Sequence, residues 1–264
     1  MSEHFKKPEP RHSNQQFVAE NLARVRHRIT VLSDQYRRDP DSVRLLAVSK
    51  TRPIEDIRAA INNQQLDFGE NYLQEALDKI QALAETQLAA PQWHYIGAIQ
   101  SNKTRSIATH FDWVHTLASR KVAERLSQQR SAELAPLQLL IQVNIDAEES
   151  KAGIMAKDLM ALIDGILPLP NLALRGLMAI PRATTTLADQ RRPFCQLREL
   201  LQLAQQHYGR DLPEFNQLSM GMSADMEAAI AEGSTWVRIG TAIFGERAQK
   251  GPLEALVDPT TQKD

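Results

Sequence analysis

Strand-like and helix-like segments alternate eight times along this chain, and that alternation leaves few folds open. Short apolar runs at 45–49, 67–70, 93–99, 113–117, 137–145, 173–180, 217–221 and 236–244 read as strands. Amphipathic stretches at 54–62, 72–88, 120–130, 157–167, 187–208 and 223–232 separate most of them, and a short helix near 102–109 fits the tighter link after the third. Strands that alternate with helices build a parallel sheet with right-handed crossovers. Eight such units in 264 residues favour closure into a single (β/α)8 TIM barrel over an open doubly wound sheet. Ahead of the first strand, Val18, Leu22, Val25, Ile29 and Leu32 recur at helical spacing. That spacing adds an N-terminal helix over about 17–36, covering one end or side of the barrel.

No Pro-, Gly- or Ser-rich linker interrupts the pattern, so one domain is expected. The reading is a disordered tail at 1–14, the barrel over 15–250, and a short helix with a frayed end at 251–264. Lys and Arg number 31 against 32 Asp and Glu, a net charge of −1. That balance supplies no electrostatic footprint for nucleic acid or an anionic membrane. The first residues carry no apolar targeting segment and no run is long enough to span a bilayer, so a cytoplasmic chain is expected. The lone cysteine, Cys195, excludes an internal disulfide and, at the start of a helical pattern, reads as a small buried hydrophobe rather than a nucleophile. No Cys/His cluster, paired-glycine nucleotide loop or Ser-His-Asp signature stands out, so neither a metal site nor a catalytic set is expected.

The candidate chemistry sits at the strand ends. The first strand runs Arg44-Leu45-Leu46-Ala47-Val48-Ser49 and stops on Lys50. Parallel α/β folds keep their sites at that lip, and a partly buried lysine readily loses its proton and condenses with aldehydes. The plain alternative is a lysine whose head snorkels out of the sheet. After the seventh strand comes Ser219-Met220-Gly221-Met222-Ser223, where glycine and helix-start amides suit an anion. The same stretch also reads as a strand–turn–helix junction capped by Ser223. Arg238 lies inside the otherwise apolar eighth strand, where an unpaired charge costs several kcal/mol, so it needs either a carboxylate or a ligand atom. Gly240 and Thr241 follow it with backbone amides and a hydroxyl. Polar residues end three further strands: Glu70-Asn71, His94 with Gln100-Ser101-Asn102, and Asn144. Each is weak alone, with His94 also readable as a satisfied core histidine; together they are expected at one rim.

At this point the motifs resemble a known family. Ala47-Val48-Ser49-Lys50, Phe68-Gly69-Glu70-Asn71-Tyr72, the run from Trp93 to Lys103, Ser219-Met220-Gly221-Met222-Ser223 and Val237-Arg238-Ile239-Gly240-Thr241 are similar to those of the pyridoxal phosphate homeostasis proteins. These are also called YggS-like or proline-synthetase-co-transcribed proteins. The resemblance implies a barrel of the alanine-racemase N-terminal type that binds pyridoxal 5′-phosphate as an aldimine of Lys50. It puts Arg238 at the pyridine nitrogen, Asn71 beside the ring, and the phosphate on Ser219, Met220, Gly240 and Thr241.

It further implies a monomeric carrier that keeps vitamin B6 in balance, without established turnover, and pyridoxal-phosphate-dependent apoenzymes as partners. A low-efficiency amino-acid racemase or lyase is the alternative. Racemases of this fold add a second domain that closes the site, and this sequence is expected to leave the rim open. Arg238 favours the carrier on chemical grounds: arginine stays cationic and cannot accept the ring proton, so it disfavours the protonated ring that acts as an electron sink.

Overall fold

The computed structural model describes residues 14–148 and 151–246; the expected tail, apart from Asn14, and the expected C-terminal helix lie outside them. Eight parallel strands pair in sequence order and close on themselves. They are β1 (Arg44–Val48), β2 (Asp67–Glu70), β3 (Gln92–Tyr95), β4 (Trp113–Leu117), β5 (Leu137–Gln142), β6 (Leu172–Met178), β7 (Gln217–Ser219) and β8 (Trp236–Ile239). The seam between β1 and β8 is in register from Arg44 opposite Trp236 to Ala47 opposite Ile239. Leu46 therefore stands beside Arg238.

Because side chains alternate across each strand, the barrel has two cores. Inward-facing Leu46, Trp113, Leu140, Met178 and Trp236 fill the interior, and His94 stacks on Trp113 with ring centroids 5.5 Å apart. Outward-facing residues such as Ala47, Phe68, Leu139 and Ile239 join the apolar stripes of the surrounding helices in a second core. Those helices are α2 (Ile54–Asn62), α3 (Leu73–Ala84), α4 (Thr104–His110), α5 (Arg120–Gln129), α6 (Leu159–Ile166), α7 (Leu187–Tyr208) and α8 (Met226–Ala231). The extra N-terminal helix, α1 (Asn14–Gln35), buries the five apolar positions that its spacing singles out. Its Asn21 amide donates to the Ile243 carbonyl at 2.8 Å, and just past its end Arg38 donates to the Ile230 carbonyl at 3.0 Å.

Several strands stop before their apolar runs do. The clearest case is β8, expected to reach residue 244, which ends at Ile239. Gly240 turns out of the extended region, and the amides of Ile243 and Phe244 bond back to its carbonyl at 2.9 and 3.0 Å, closing a short helix, α9 (Thr241–Phe244). Helix α8 also starts later than expected. Asp225, not Ser223, stands at its cap position, and the Asp225 carboxylate takes the Met222 amide at 2.5 Å. Cys195 is not the buried hydrophobe expected. It is half-buried on α7, with Arg198 donating to its sulfur at 3.1 Å.

Candidate functional site

A cavity of about 360 Å³ opens at the C-terminal end of the barrel. Lys50, Asn71, Arg238, Gly240 and Thr241 line it, together with Arg52 and the segment Met222-Ser223-Ala224. An ordered ligand the size of a small aromatic phosphate suits such a volume and such convergent polar groups.

Lys50 sits just past β1, in a turn whose next residue, Thr51, has a left-handed backbone with φ of 62°. A buried ion cluster holds both sides of that turn. The Lys79 ammonium, reaching over from α3, donates to the Ser49 carbonyl at 2.8 Å, to Glu70 at 2.7 Å and to Glu75 at 2.5 Å. The Ser49 hydroxyl donates to Glu70 at 2.7 Å, and the Thr51 amide donates to Glu75 at 2.6 Å. Glu70 is fully buried, and burial pushes its pKa up against the pull of Lys79. Lys79 and Glu70 are buried while Glu75 is partly exposed, and the second oxygen of Glu70 has no partner among the described residues. The effect of the cluster is to fix the backbone on either side of Lys50.

Arg238 is 5 % exposed. Among the described residues it has no carboxylate contact. Its two terminal nitrogens donate to the Ser219 hydroxyl at 2.8 Å and to the Ala179 carbonyl at 3.0 Å. Burial lowers its pKa to about 10, which leaves it cationic at neutral pH. Of the two partners the sequence allows, no carboxylate stands within bonding distance among the described residues, although the Asp225 charge acts on the guanidinium from further off. A guanidinium has five donors, and beyond those on Ser219 and Ala179 the residue lines the cavity.

Ser219 and Met220 are fully buried and lie outside the cavity lining. The Ser219 hydroxyl is committed to Arg238 and to His115 at 2.9 Å, and the Met220 amide donates to the Trp236 carbonyl at 3.1 Å. The wall on this side is one turn further along, at Ser223 and its neighbours. His94 is not at the rim either: it is fully buried inside the barrel.

Two close approaches shape the rim. A Cβ on Gly97 would fall 2.2 Å from the Asn71 carbonyl oxygen, so only glycine lets the third and second strand ends meet there. A Cβ on Gly240 would stand 3.1 Å from the Val48 carbonyl oxygen, narrowing the gap between the first and eighth strand ends. Beside them, the side-chain oxygen of Asn71 is buried with no hydrogen-bond partner among the described residues. A buried unpaired acceptor costs about 1–3 kcal/mol, so this atom fits a site completed by a ligand donor.

The family model described as alanine racemase, N-terminal domain, matches residues 21–248. The curated pyridoxal phosphate homeostasis protein of Pseudomonas aeruginosa is 53% identical over 235 residues, spanning 89% of this chain and 98% of that protein. That of Escherichia coli K12 is 48% identical, spanning 87% and 97%. The structure of PipY from Synechococcus elongatus with pyridoxal phosphate bound superposes with a TM-score of 0.74 at 37% identity, covering 86% of this chain and 100% of that one. Alanine racemase from Corynebacterium glutamicum shares the fold at 15% identity, with a TM-score of 0.61. The fold and mouth thus define a barrel of the alanine-racemase N-terminal class. Within that class, the chain belongs to the pyridoxal phosphate homeostasis protein family.

Proposed function

We propose that this chain holds pyridoxal 5′-phosphate at the barrel mouth, through Lys50, as a monomeric cytoplasmic carrier that supplies pyridoxal-phosphate-dependent apoenzymes. The barrel over 15–250 acts as one binding unit in this reading. The observation that carries it is the meeting of Lys50, Arg238 and the Gly240–Thr241 turn around one 360 Å³ cavity in a chain of this family. When bound, the cofactor supplies an aldehyde that condenses with a primary amine with loss of water.

Each residue then has a task that suits its chemistry. Lys50 offers its amine from a turn clamped by Lys79, Glu70 and Glu75. Arg238 presents a donor that never becomes an acceptor, so it pairs with an unprotonated ring nitrogen. The first amides of α9, at Thr241 and Ala242, have no acceptor within the helix, and with the Thr241 hydroxyl they suit a phosphate oxygen. Ser223 faces the same cavity from the other side and is added to the anion contacts. Asn71 stands beside the ring, its amide lining the same cavity. Ser219 and Met220 lie buried behind this lining, where the Ser219 hydroxyl accepts from Arg238.

Apo protein titrated with pyridoxal phosphate and monitored by absorption tests the reading. The expected result is a visible band that saturates at one equivalent and is absent in Lys50→Ala. Wild-type protein that passes a desalting column without retaining the cofactor contradicts it.

A further inference from the structure

A line of hydrogen bonds crosses the barrel interior beneath the mouth. Arg238 on β8 meets the Ser219 hydroxyl on β7 at 2.8 Å. That hydroxyl meets His115 Nδ1 on β4 at 2.9 Å, and His115 Nε2 meets His94 Nδ1 on β3 at 3.0 Å. His94 Nε2 then reaches Asp67 Oδ1 on β2 at 3.1 Å. Ser219 and both histidines are fully buried, whereas the Asp67 side chain is 27% exposed in a second cavity at the opposite end of the barrel. Five side chains from five strands are spent on this line, and among the described residues no group of His, Cys, Asp or Glu is arranged to hold a metal ion.

The two ends fix its direction. The Asp67 carboxylate accepts, so His94 must donate from Nε2. Burial lowers the pKa of both histidines, His115 well below the ordinary value, and the Arg238 and Arg44 cations push the same way at His115. A neutral His94 then accepts at Nδ1, which makes His115 a donor at Nε2 and an acceptor at Nδ1. The Ser219 hydroxyl must give its proton to His115, leaving its oxygen as an acceptor. At the other end Arg238 can only donate, and it donates to that oxygen. Both ends require the same direction, and the reverse orientation leaves a buried hydroxyl proton without an acceptor. Asp112 and Arg44 are the other charged groups that act on His94, and neither bonds to it.

We propose that Asp67, His94 and His115 are positioning residues for the cofactor: they orient the Ser219 hydroxyl so that its oxygen holds the Arg238 guanidinium against the ring nitrogen. The link from Arg238 to the cofactor rests on the function proposed above, but the chain and its direction do not. A group at one end of the barrel thereby governs how firmly the other end grips its ligand. Breaking one bond of a chain like this is worth about 0.5–1.5 kcal/mol, or about two- to tenfold in an equilibrium.

Two measurements test this. Nitrogen-15 NMR of the apo protein with labelled histidine should show His94 and His115 neutral and protonated at Nε2 at pH 7, assigned with His115→Phe and His94→Phe. Cofactor loss should speed up about two- to tenfold in Asp67→Ala, which stands far from the cavity. Asp67→Asn should restore the wild-type rate, because its amide oxygen still accepts from His94. Either histidine protonated at Nδ1 or on both nitrogens overturns the proposal, as does a folded Asp67→Ala that loses cofactor at the wild-type rate. Should wild-type protein take up no cofactor at all, the proposed function fails while the NMR result still decides the direction of the chain.

Discussion

Arg238 shows how one buried side chain can be read from its partners. Its acceptors are a hydroxyl and a carbonyl, so removing it leaves no buried carboxylate uncompensated. Arg238→Ala is therefore expected to stay folded as the apo protein, while its dissociation constant for pyridoxal phosphate rises about tenfold or more. That is the scale of a lost hydrogen bond to a charged donor. Thermal melts of the apo variant beside a cofactor titration check both halves, and an apo variant that fails to fold contradicts this assignment.

The buried histidines carry a pH signature of the same origin. Their folded pKa values lie below the ordinary 6.5, mainly through burial. Below that value the unfolded chain binds protons that the folded chain refuses, so stability is full above pH 6.5 and falls on acidification. Each histidine contributes a slope of up to about 1.4 kcal/mol per pH unit. Urea midpoints at pH 7 and pH 5.5 should show this loss, and the loss should be smaller in His115→Phe.

At the level of elements, the site depends on strand ends that nearly touch. Gly97→Ala places a methyl 2.2 Å from the Asn71 carbonyl oxygen, a backbone atom that cannot swing aside alone. The second strand end has to shift, so the variant should lose about 1–3 kcal/mol of stability, the usual scale of overpacking. It should also bind cofactor more weakly because Asn71 moves; unchanged denaturation and affinity would show that this contact is slack.

The strands themselves were legible from apolar runs, but their ends were not. A run such as Thr241-Ala242-Ile243-Phe244 is equally apolar as strand or as helix, and only the turn at Gly240 decides between them. The same limit explains Ser219 and Ser223. Both belong to one polar stretch, and a shift of four residues along the chain separates a side chain buried behind the cavity from one that lines it. Lys50 and Arg238 were legible because a cation beside or inside an apolar strand breaks a strong pattern. The pairing of His94 with His115 and of His115 with Ser219 was not, since these residues are 21 and 104 positions apart and nothing periodic links them.

Across the whole molecule, the rim of the barrel brings a lysine, an arginine and two strand-end turns to one mouth, and the described residues place no opposing base there. Tyr72 stands at the start of α3, and the Tyr95 hydroxyl is tied to the Ala98 carbonyl at 3.1 Å. Proton abstraction needs a base held about 3 Å from the substrate carbon. Loaded protein is therefore expected to racemise or transaminate common amino acids more slowly than about 1 s⁻¹, the low end of usual turnover. A chiral assay over a panel of D- and L-amino acids measures this, and turnover at or above that rate favours a racemase.

The central claim is that the cofactor is held by one particular amine at the mouth. Borohydride reduction of the loaded protein, followed by proteolysis and mass spectrometry, tests it most directly. A single pyridoxyl group on Lys50 is the expected result; a group carried instead by Lys79, Lys103 or Lys151, with Lys50 unmodified, contradicts the account.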